Sequence, residues 1–180
     1  MKKSTFITSI AFAFIMLLSF NVSAQDFAKL NKSPMDAASF PSSYKESNKL
    51  VMITYSRPQL KERSLEKLAP NGKVWRTGAN EAPQITFYVD MKLGNTAVKS
   101  GTYSLFTIPG EKEWTIILSS DINVWGSYSY NEANDVARMS VPATSGDSLE
   151  AFSIAFEKSD NGTHMHLGWG KMRIAIPFTK

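Results

Sequence analysis

The chain has 180 residues, with 20 Lys and Arg against 16 Asp and Glu, and a formal net charge of +4. Its basic residues are scattered among acidic ones, so the composition excludes the clustered positive charge of a nucleic-acid-binding protein. The absence of cysteine excludes disulfide bonds and thiol catalysis, and leaves packing to stabilise the fold.

The first 24 residues have the pattern of a secretory signal peptide. Lys2 and Lys3 form the positive end, residues 6–20 are mostly apolar and uncharged, and small residues at 22–24 (VSA) predict cleavage before Gln25. A membrane-spanning helix would need about 20 consecutive apolar residues, which is more than this stretch offers. We therefore expect an exported protein, periplasmic or secreted, that is not inserted in a membrane after cleavage and has lost two of its positive charges.

The rest of the chain is expected to form one domain. Residues 25–48 are polar and irregular, which predicts a lead-in segment, and the domain itself is expected at 49–180. From residue 49 apolar and polar residues alternate, the pattern of half-buried strands. The predicted strands are 49–56, 84–94, 96–99, 102–108, 113–119, 136–141, 150–157, 163–169 and 171–178.

Eight or nine short strands with few helical stretches predict an all-β fold, a single sandwich of the jelly-roll type. Two segments break the strand pattern, residues 57–83 and 120–135. We call them the first and the second long loop. Each contains Trp, which disordered segments avoid, so both are expected to be ordered. Residues 64–68 could form one helical turn.

The first long loop contains the strongest candidate site. Trp75, Arg76, Asn80 and Glu81 lie close together in sequence, and Arg57 begins the same loop. Two guanidinium groups can bind a carboxylate or phosphate, and Glu81 could act as a general base if burial raised its pKa. The structural alternative is an ion pair between Arg76 and Glu81, with Trp75 filling the core.

The second long loop contains Trp125 and Tyr128, with Tyr130 nearby, among Gly, Ser and Asn. Flat aromatic rings beside amides are typical of surfaces that bind sugar rings. The structural alternative is that both rings cap one end of the sandwich.

Other catalytic and metal-binding patterns have little support. His164 and His166 share one face of a predicted strand, but a metal site needs three or four ligands, and no third has suggestive spacing. The chain lacks a Gly-x-Ser-x-Gly motif, a P-loop and a dinucleotide fingerprint. Glycoside hydrolysis would need Glu81 to face Glu132 or Asp135 across a cleft, and the sequence does not show this. We predict no cofactor and no metal.

Three segments carry a resemblance to a known family: residues 55–58 (YSRP), 72–82 (GKVWRTGANEA) and 101–110 (GTYSLFTIPG). With them the chain resembles the DUF2911 family, a group of exported bacterial proteins of undescribed function. The resemblance covers about residues 36–178. It implies export and a single β-rich domain. The family has no established activity, so the resemblance assigns no catalytic residue to this chain.

Three functional hypotheses follow from the sequence. The leading one is a non-enzymatic binding domain for a small polar ligand, anionic or sugar-like, held between the two long loops. Its site residues would be Arg57, Trp75, Arg76, Asn80, Glu81, Trp125 and Tyr128. The second is a hydrolase that uses Glu81 as base and Arg76 to stabilise an oxyanion. The third is a structural or partner-binding protein without a small-molecule site. The sequence leaves the oligomeric state open.

Overall fold

The computed structural model describes residues 25–180, in which almost all regular structure is β. Helical structure in this range is limited to one short helix, α1 (Leu65–Leu68), and one 3-10 turn (Glu132–Asn134). The nine strands are β1 (Met35–Phe40), β2 (Val51–Ser56), β3 (Gln84–Phe87), β4 (Met91–Leu93), β5 (Thr96–Val98), β6 (Gly101–Ile108), β7 (Glu113–Ser119), β8 (Asp135–Ser159) and β9 (Gly162–Thr179).

The strands form one antiparallel sheet in the order β1-β2-β3-β6-β7-β8-β9-β4-β5. The 25-residue strand β8 belongs to both halves of this sheet, because residues 135–142 pair with β7 and residues 143–159 pair with β9. Its register with β9 shifts between Ser145 and Leu149 and again between Leu149 and Ser153. Such irregularities bend a strand, so one sheet can fold over on itself. The predicted fold class, all-β with sandwich-like packing, is confirmed.

The chain that follows β2 also contacts β8, which joins the two halves of the sheet a second time. Phe152 N donates to Pro58 O at 2.9 Å, and Leu60 N donates to Glu150 O at 3.0 Å. The hydroxyl of Tyr55 accepts a hydrogen bond of 3.0 Å from Ile154 N. These bonds satisfy buried backbone groups and close the side of the sandwich.

An aromatic cluster lies at the centre of the main core. The rings of Trp75 and Trp169 are stacked, with centroids 5.6 Å apart and an interplanar angle of 11°. Trp114 and Phe152 meet the ring of Trp75 edge-on at 6.0 and 5.4 Å. Edge-on and offset-stacked arrangements are the ones aromatic rings prefer, and each adds about 0.5–1.5 kcal/mol to the burial of apolar area.

Three parts of the strand prediction differ from the structure. The predicted strand 84–94 is divided into β3 and β4, which lie in different halves of the sheet. Residues 136–141 and 150–157 belong to one strand, β8, as do residues 163–169 and 171–178 in β9. Residues 145–147 (SGD), which separate the two predicted strands 136–141 and 150–157, lie at a strand irregularity of β8. Gly and Ser are residues that a turn and a bulge both tolerate, so composition does not separate a turn from a bulge.

The segment 25–48, expected to be irregular, contains β1, which pairs with β2 along its whole length. The two long loops were predicted closely: the first fills 57–83, and the second runs from 120 to the start of β8 at Asp135. The predicted helical turn is α1, where Ser64 Oγ accepts from Lys67 N at the N-cap.

The predicted signal peptide, residues 1–24, lies outside the described residues. Within residues 25–180, no helix has the length and apolar character needed to cross a membrane.

We expect Trp75→Ala to lower the stability of the domain by about 3–5 kcal/mol, because it leaves a cavity inside the aromatic cluster. For a domain of this size, the melting temperature should fall by roughly 10 °C. Trp125→Ala is the matched control, since 60% of Trp125 is exposed. Melting curves followed by circular dichroism test the pair; equal effects of the two substitutions would contradict the assignment of Trp75 to the core.

Candidate functional site

The two long loops are hydrogen-bonded to each other. Ala82 N donates to Val124 O at 3.0 Å and Gly126 N donates to Asn80 O at 2.9 Å, and between these bonds Glu81 and Trp125 form an antiparallel bridge. The turn needs a positive φ at Asn80 (61°) and at Gly126 (67°), which glycine and asparagine adopt with least strain. The loops therefore lie side by side, as the site hypothesis required.

A second, smaller core lies beneath the paired loops. Its buried members are Ala82, Phe106 and Ile117, and partly buried apolar residues pack around them: Val74, Ile108, Val124 and Tyr130. Phe106 and Ile117 are cross-strand partners on β6 and β7, and both point away from the main core. We call this side of the sheet the outer face. The loops thus cover the outer face and bury apolar surface of their own.

Side-chain hydrogen bonds fix the second long loop along its length. Ser127 Oγ donates to Val74 O at 3.2 Å, and Gln84 Nε2 donates to Asn123 Oδ1 at 2.8 Å. Asn134 Nδ2 lies 2.9 Å from both carboxylate oxygens of Asp121. The first two bonds hold the loop to the first long loop and to β3, and the third joins the two ends of the loop to each other.

A polar network stands where this loop enters β8. The hydroxyl of Tyr130 donates to Asp135 Oδ2 at 2.7 Å, and Arg138 Nε lies 3.1 Å from the same oxygen. Arg138 also contacts Glu132 at 2.6 Å. The Asp135 side chain is only 7% exposed, and its Oδ1 is buried without a hydrogen-bond partner among the described residues.

Burial decides the ionisation of this network. Desolvation raises the pKa of Asp135 above its ordinary value, although the hydrogen bond from Tyr130 and the charge of Arg138 oppose the rise. Desolvation and the bond to Asp135 raise the pKa of Tyr130 as well. Sequence reasoning named Glu132 and Asp135 only as acids that might approach Glu81; in the structure both contact Arg138. No spacing in the sequence indicates this network, because it depends on how the loop rejoins the sheet.

Above the second core, large side chains of the second long loop are exposed to solvent. Tyr128 is 88% exposed, Trp125 60% and Ile122 45%. We call these three residues the aromatic surface. Trp125 and Glu81 are bridge partners, and partners in an antiparallel bridge project to the same side, so the exposed Glu81 side chain projects on the side of the loops that carries Trp125. The structural alternative, in which both rings cap one end of the sandwich, does not fit this exposure to solvent.

Two of the seven predicted site residues have structural roles instead. Trp75 is 5% exposed and belongs to the main core, so it cannot serve as a ligand surface. Arg57 binds Asp36 at 2.9 Å, Phe152 O at 3.1 Å and Ser153 Oγ at 2.9 Å, which joins β1 to β8. Its guanidinium is committed to these partners, a use hidden in the sequence because β1 was not expected.

Arg76 differs from both. Its neighbour Trp75 pairs with Thr107 of β6 and faces the main core, so alternation places Arg76 beside Phe106 on the outer face. The ion pair with Glu81, which was the structural alternative, is not formed. Arg76 makes no hydrogen bond or ion pair within residues 25–180, and its Nε is buried without a partner.

Two other sequence hypotheses lose support. Glu81 is exposed to solvent and does not lie in a closed pocket where it could act as a general base. His164 and His166 have ring centroids 6.1 Å apart, and His166 Nε2 lies 3.1 Å from Glu157 Oε2. Among the described residues, no group of three potential ligands is placed to hold a metal ion.

Two clefts in the described part of the chain lie away from the aromatic surface. One of about 570 Å³ adjoins the β8–β9 turn, and another of about 420 Å³ lies between α1 and the bend of β8. None of the seven predicted residues lines either cleft. The exposed members of the set instead form an open surface, a shape suited to a ligand that lies across it.

The fold and the site define a β-sandwich protein that presents aromatic side chains on a fixed surface loop. The model of the DUF2911 family, described as a protein family of unknown function, matches residues 33–178, and the chain belongs to this family. The resemblance stated from the sequence is thereby confirmed. A search of curated proteins and a search of solved structures each gave no match.

We expect the carboxyl group of Asp135 to titrate at a higher pH than that of Asp90. Burial raises the pKa of Asp135, whereas the exposed Asp90 bonds to Lys99 and Ser100, which lowers its pKa. A raised pKa in the folded state means that the contribution of Asp135 to stability grows as the pH falls through that pKa, while that of Asp90 is lost in acid. Carboxyl-detected NMR titration measures both groups, and the reverse order would contradict the burial of Asp135.

Proposed function

We propose that this protein is an exported binding domain whose ligand is a saccharide held against the aromatic surface. The observation that carries the proposal is the exposure of Trp125 (60%) and Tyr128 (88%) on a loop that is fixed by its own core and hydrogen bonds. Export rests on the pattern of residues 1–24.

The exposure of these rings calls for a functional reason. Single exposed apolar residues are common on proteins, but here three large ones lie within seven positions of one ordered loop. The main core and the second core are complete without them, so the rings are not needed to fold the domain. Aromatic side chains that are already ordered lose little entropy when a ligand binds, which makes them effective contact residues.

The polar groups around the rings favour a sugar over a purely apolar partner. Sugar rings have apolar faces that stack on an indole or phenol, and hydroxyls that need hydrogen-bond partners. The Glu81 carboxylate, on the side of the loops that carries Trp125, is an acceptor for such hydroxyls. The open shape of the surface suits an oligosaccharide better than a buried monosaccharide.

Binding can be followed through Trp125 itself. The chain has four tryptophans, and Trp75, Trp114 and Trp169 are at most 5% exposed, so Trp125 is the one that reaches solvent. A bound sugar should protect Trp125 from quenching by acrylamide and shift its emission. Titration against a panel of neutral and acidic oligosaccharides then gives the dissociation constant.

We expect Trp125→Ala to weaken saccharide binding by about tenfold or more, because it removes the main stacking contact. Its melting temperature should stay within about 3 °C of that of the parent protein. Tyr44→Ala is the matched control: Tyr44 is 91% exposed but lies outside both long loops, so affinity should not change. Calorimetric titration serves for all variants. If no saccharide binds, or if both substitutions act alike, the proposal fails.

A further inference from the structure

We infer that the saccharide is acidic and that Arg76 binds its carboxylate, an inference that rests on the proposed function of the aromatic surface. The sugar ring would stack on Trp125 while its carboxylate meets the guanidinium of Arg76. Arg76 is therefore the residue that selects acidic saccharides over neutral ones.

The first step is a comparison of all arginines in the chain. Four of the five use their guanidinium groups within the protein. Arg76 is the exception, with no acceptor among the described residues. The partners of the other four are Asp36, Phe152 O and Ser153 Oγ for Arg57, Gln59 O and Leu60 O for Arg63, Glu132 and Asp135 for Arg138, and Asp147 O, Gly170 O and Met172 O for Arg173.

The second step is the position of Arg76 relative to the aromatic surface. Val74 and Arg76 project from the same side of their segment, and Val74 packs in the second core beneath the loop. The backbone on either side of Arg76 is bound to the second long loop, through Val74 O to Ser127 Oγ and through Asn80 O to Gly126 N. Arg76 therefore lies along the flank of the loop that carries Trp125 and Tyr128.

The third step is the chemistry of the guanidinium. Only the Nε of Arg76 is buried; its two terminal NH2 groups have no acceptor among the described residues and stay accessible to a ligand. A planar carboxylate matches the guanidinium fork, because two parallel N–H···O bonds can form. Glu81, whose backbone pairs with Trp125, carries a negative charge that disfavours an anionic group at that end of the surface. The charge of the ligand is thus directed toward Arg76 and its hydroxyls toward Glu81.

Matched ligands isolate the contribution of charge. Trimers of glucuronic, mannuronic and galacturonic acid are each compared with their methyl esters, which keep the sugar ring and remove the charge. We expect at least one acid to bind about tenfold more tightly than its ester, with a preference that falls as the salt concentration rises. In Arg76→Gln this preference should fall below about threefold, while the affinity for the ester stays within about twofold of that of the parent protein.

Two further variants separate binding from folding. Because Arg76 bonds no described protein atom, Arg76→Gln should keep its melting temperature within about 3 °C. Arg76→Lys keeps the charge without the planar fork and should retain part of the preference, which tests the same point if the glutamine variant folds poorly. Arg63→Gln is the control, because Arg63 bonds only backbone carbonyls near α1 and should leave the preference intact.

The outcomes are distinct. Loss of the acid preference in Arg76→Gln but not in Arg63→Gln supports the inference. Equal binding of acids and esters by the parent protein, or a preference that survives in Arg76→Gln, overturns it and leaves the saccharide proposal standing; water would then be the partner of Arg76. If neither acids nor esters bind, the proposed function and the inference that rests on it both fail.

Discussion

Trp75 and the pairing of its backbone with β6 fix the position of the whole first long loop. The indole stacks on Trp169 inside the main core, and the backbone exchanges two hydrogen bonds with Thr107, at 2.7 and 2.9 Å. With the side chain held inward, strand alternation turns the next residue, Arg76, to the outer face. The following residues reach the second long loop, where Asn80 and Ala82 bond to it. The buried stack of Trp75 on Trp169 thus determines which residues of the first long loop lie on the outer face.

The second long loop is stable for a different reason, namely that it has a small core of its own. Phe106 and Ile117 extend apolar surface onto a face of the sheet that would otherwise meet water, and Val124 and Tyr130 cover it. Covering this surface gains free energy in proportion to the apolar area removed from water. Trp125 and Tyr128 lie on the far side of the same loop and take no part in that burial. Scaffold and contact residues therefore alternate along one short stretch of chain.

Much of the fold could be predicted because alternation is a local signal. Ile85, Phe87, Met91 and Leu93 are buried as the pattern requires, yet the chain changes from one half of the sheet to the other between them. The alternation of apolar and polar residues indicates which side of the sheet a residue faces, but not which strand it pairs with. The change between the two halves of the sheet is therefore not visible in the sequence. β1 was not predicted because its sequence, MDAASF, does not alternate between apolar and polar residues. The segment forms a strand because it pairs with β2, although its own β-strand propensity is low.

The site could be predicted in part for the same reason. The positions of both long loops could be predicted because the alternation of apolar and polar residues stops there. Their Trp residues indicated that they are ordered, and the site hypothesis placed them next to each other. The partners of Arg57 could not be inferred, since they lie on β1 and on β8, about one hundred positions along the chain in the second case. Exposure was equally hidden: Trp75 and Trp125 each follow a Val in a long loop, and only packing makes one buried and the other exposed.

The central claim is that Trp125 is the tryptophan that meets the ligand, and an NMR spectrum of the indole N–H groups tests it directly. Four tryptophans give four indole signals, which single substitutions assign. On addition of an oligosaccharide that binds, we expect the Trp125 signal to shift or broaden while those of Trp75, Trp114 and Trp169 stay in place. Movement of the buried signals with Trp125 unchanged, or no movement with any saccharide, would contradict the account.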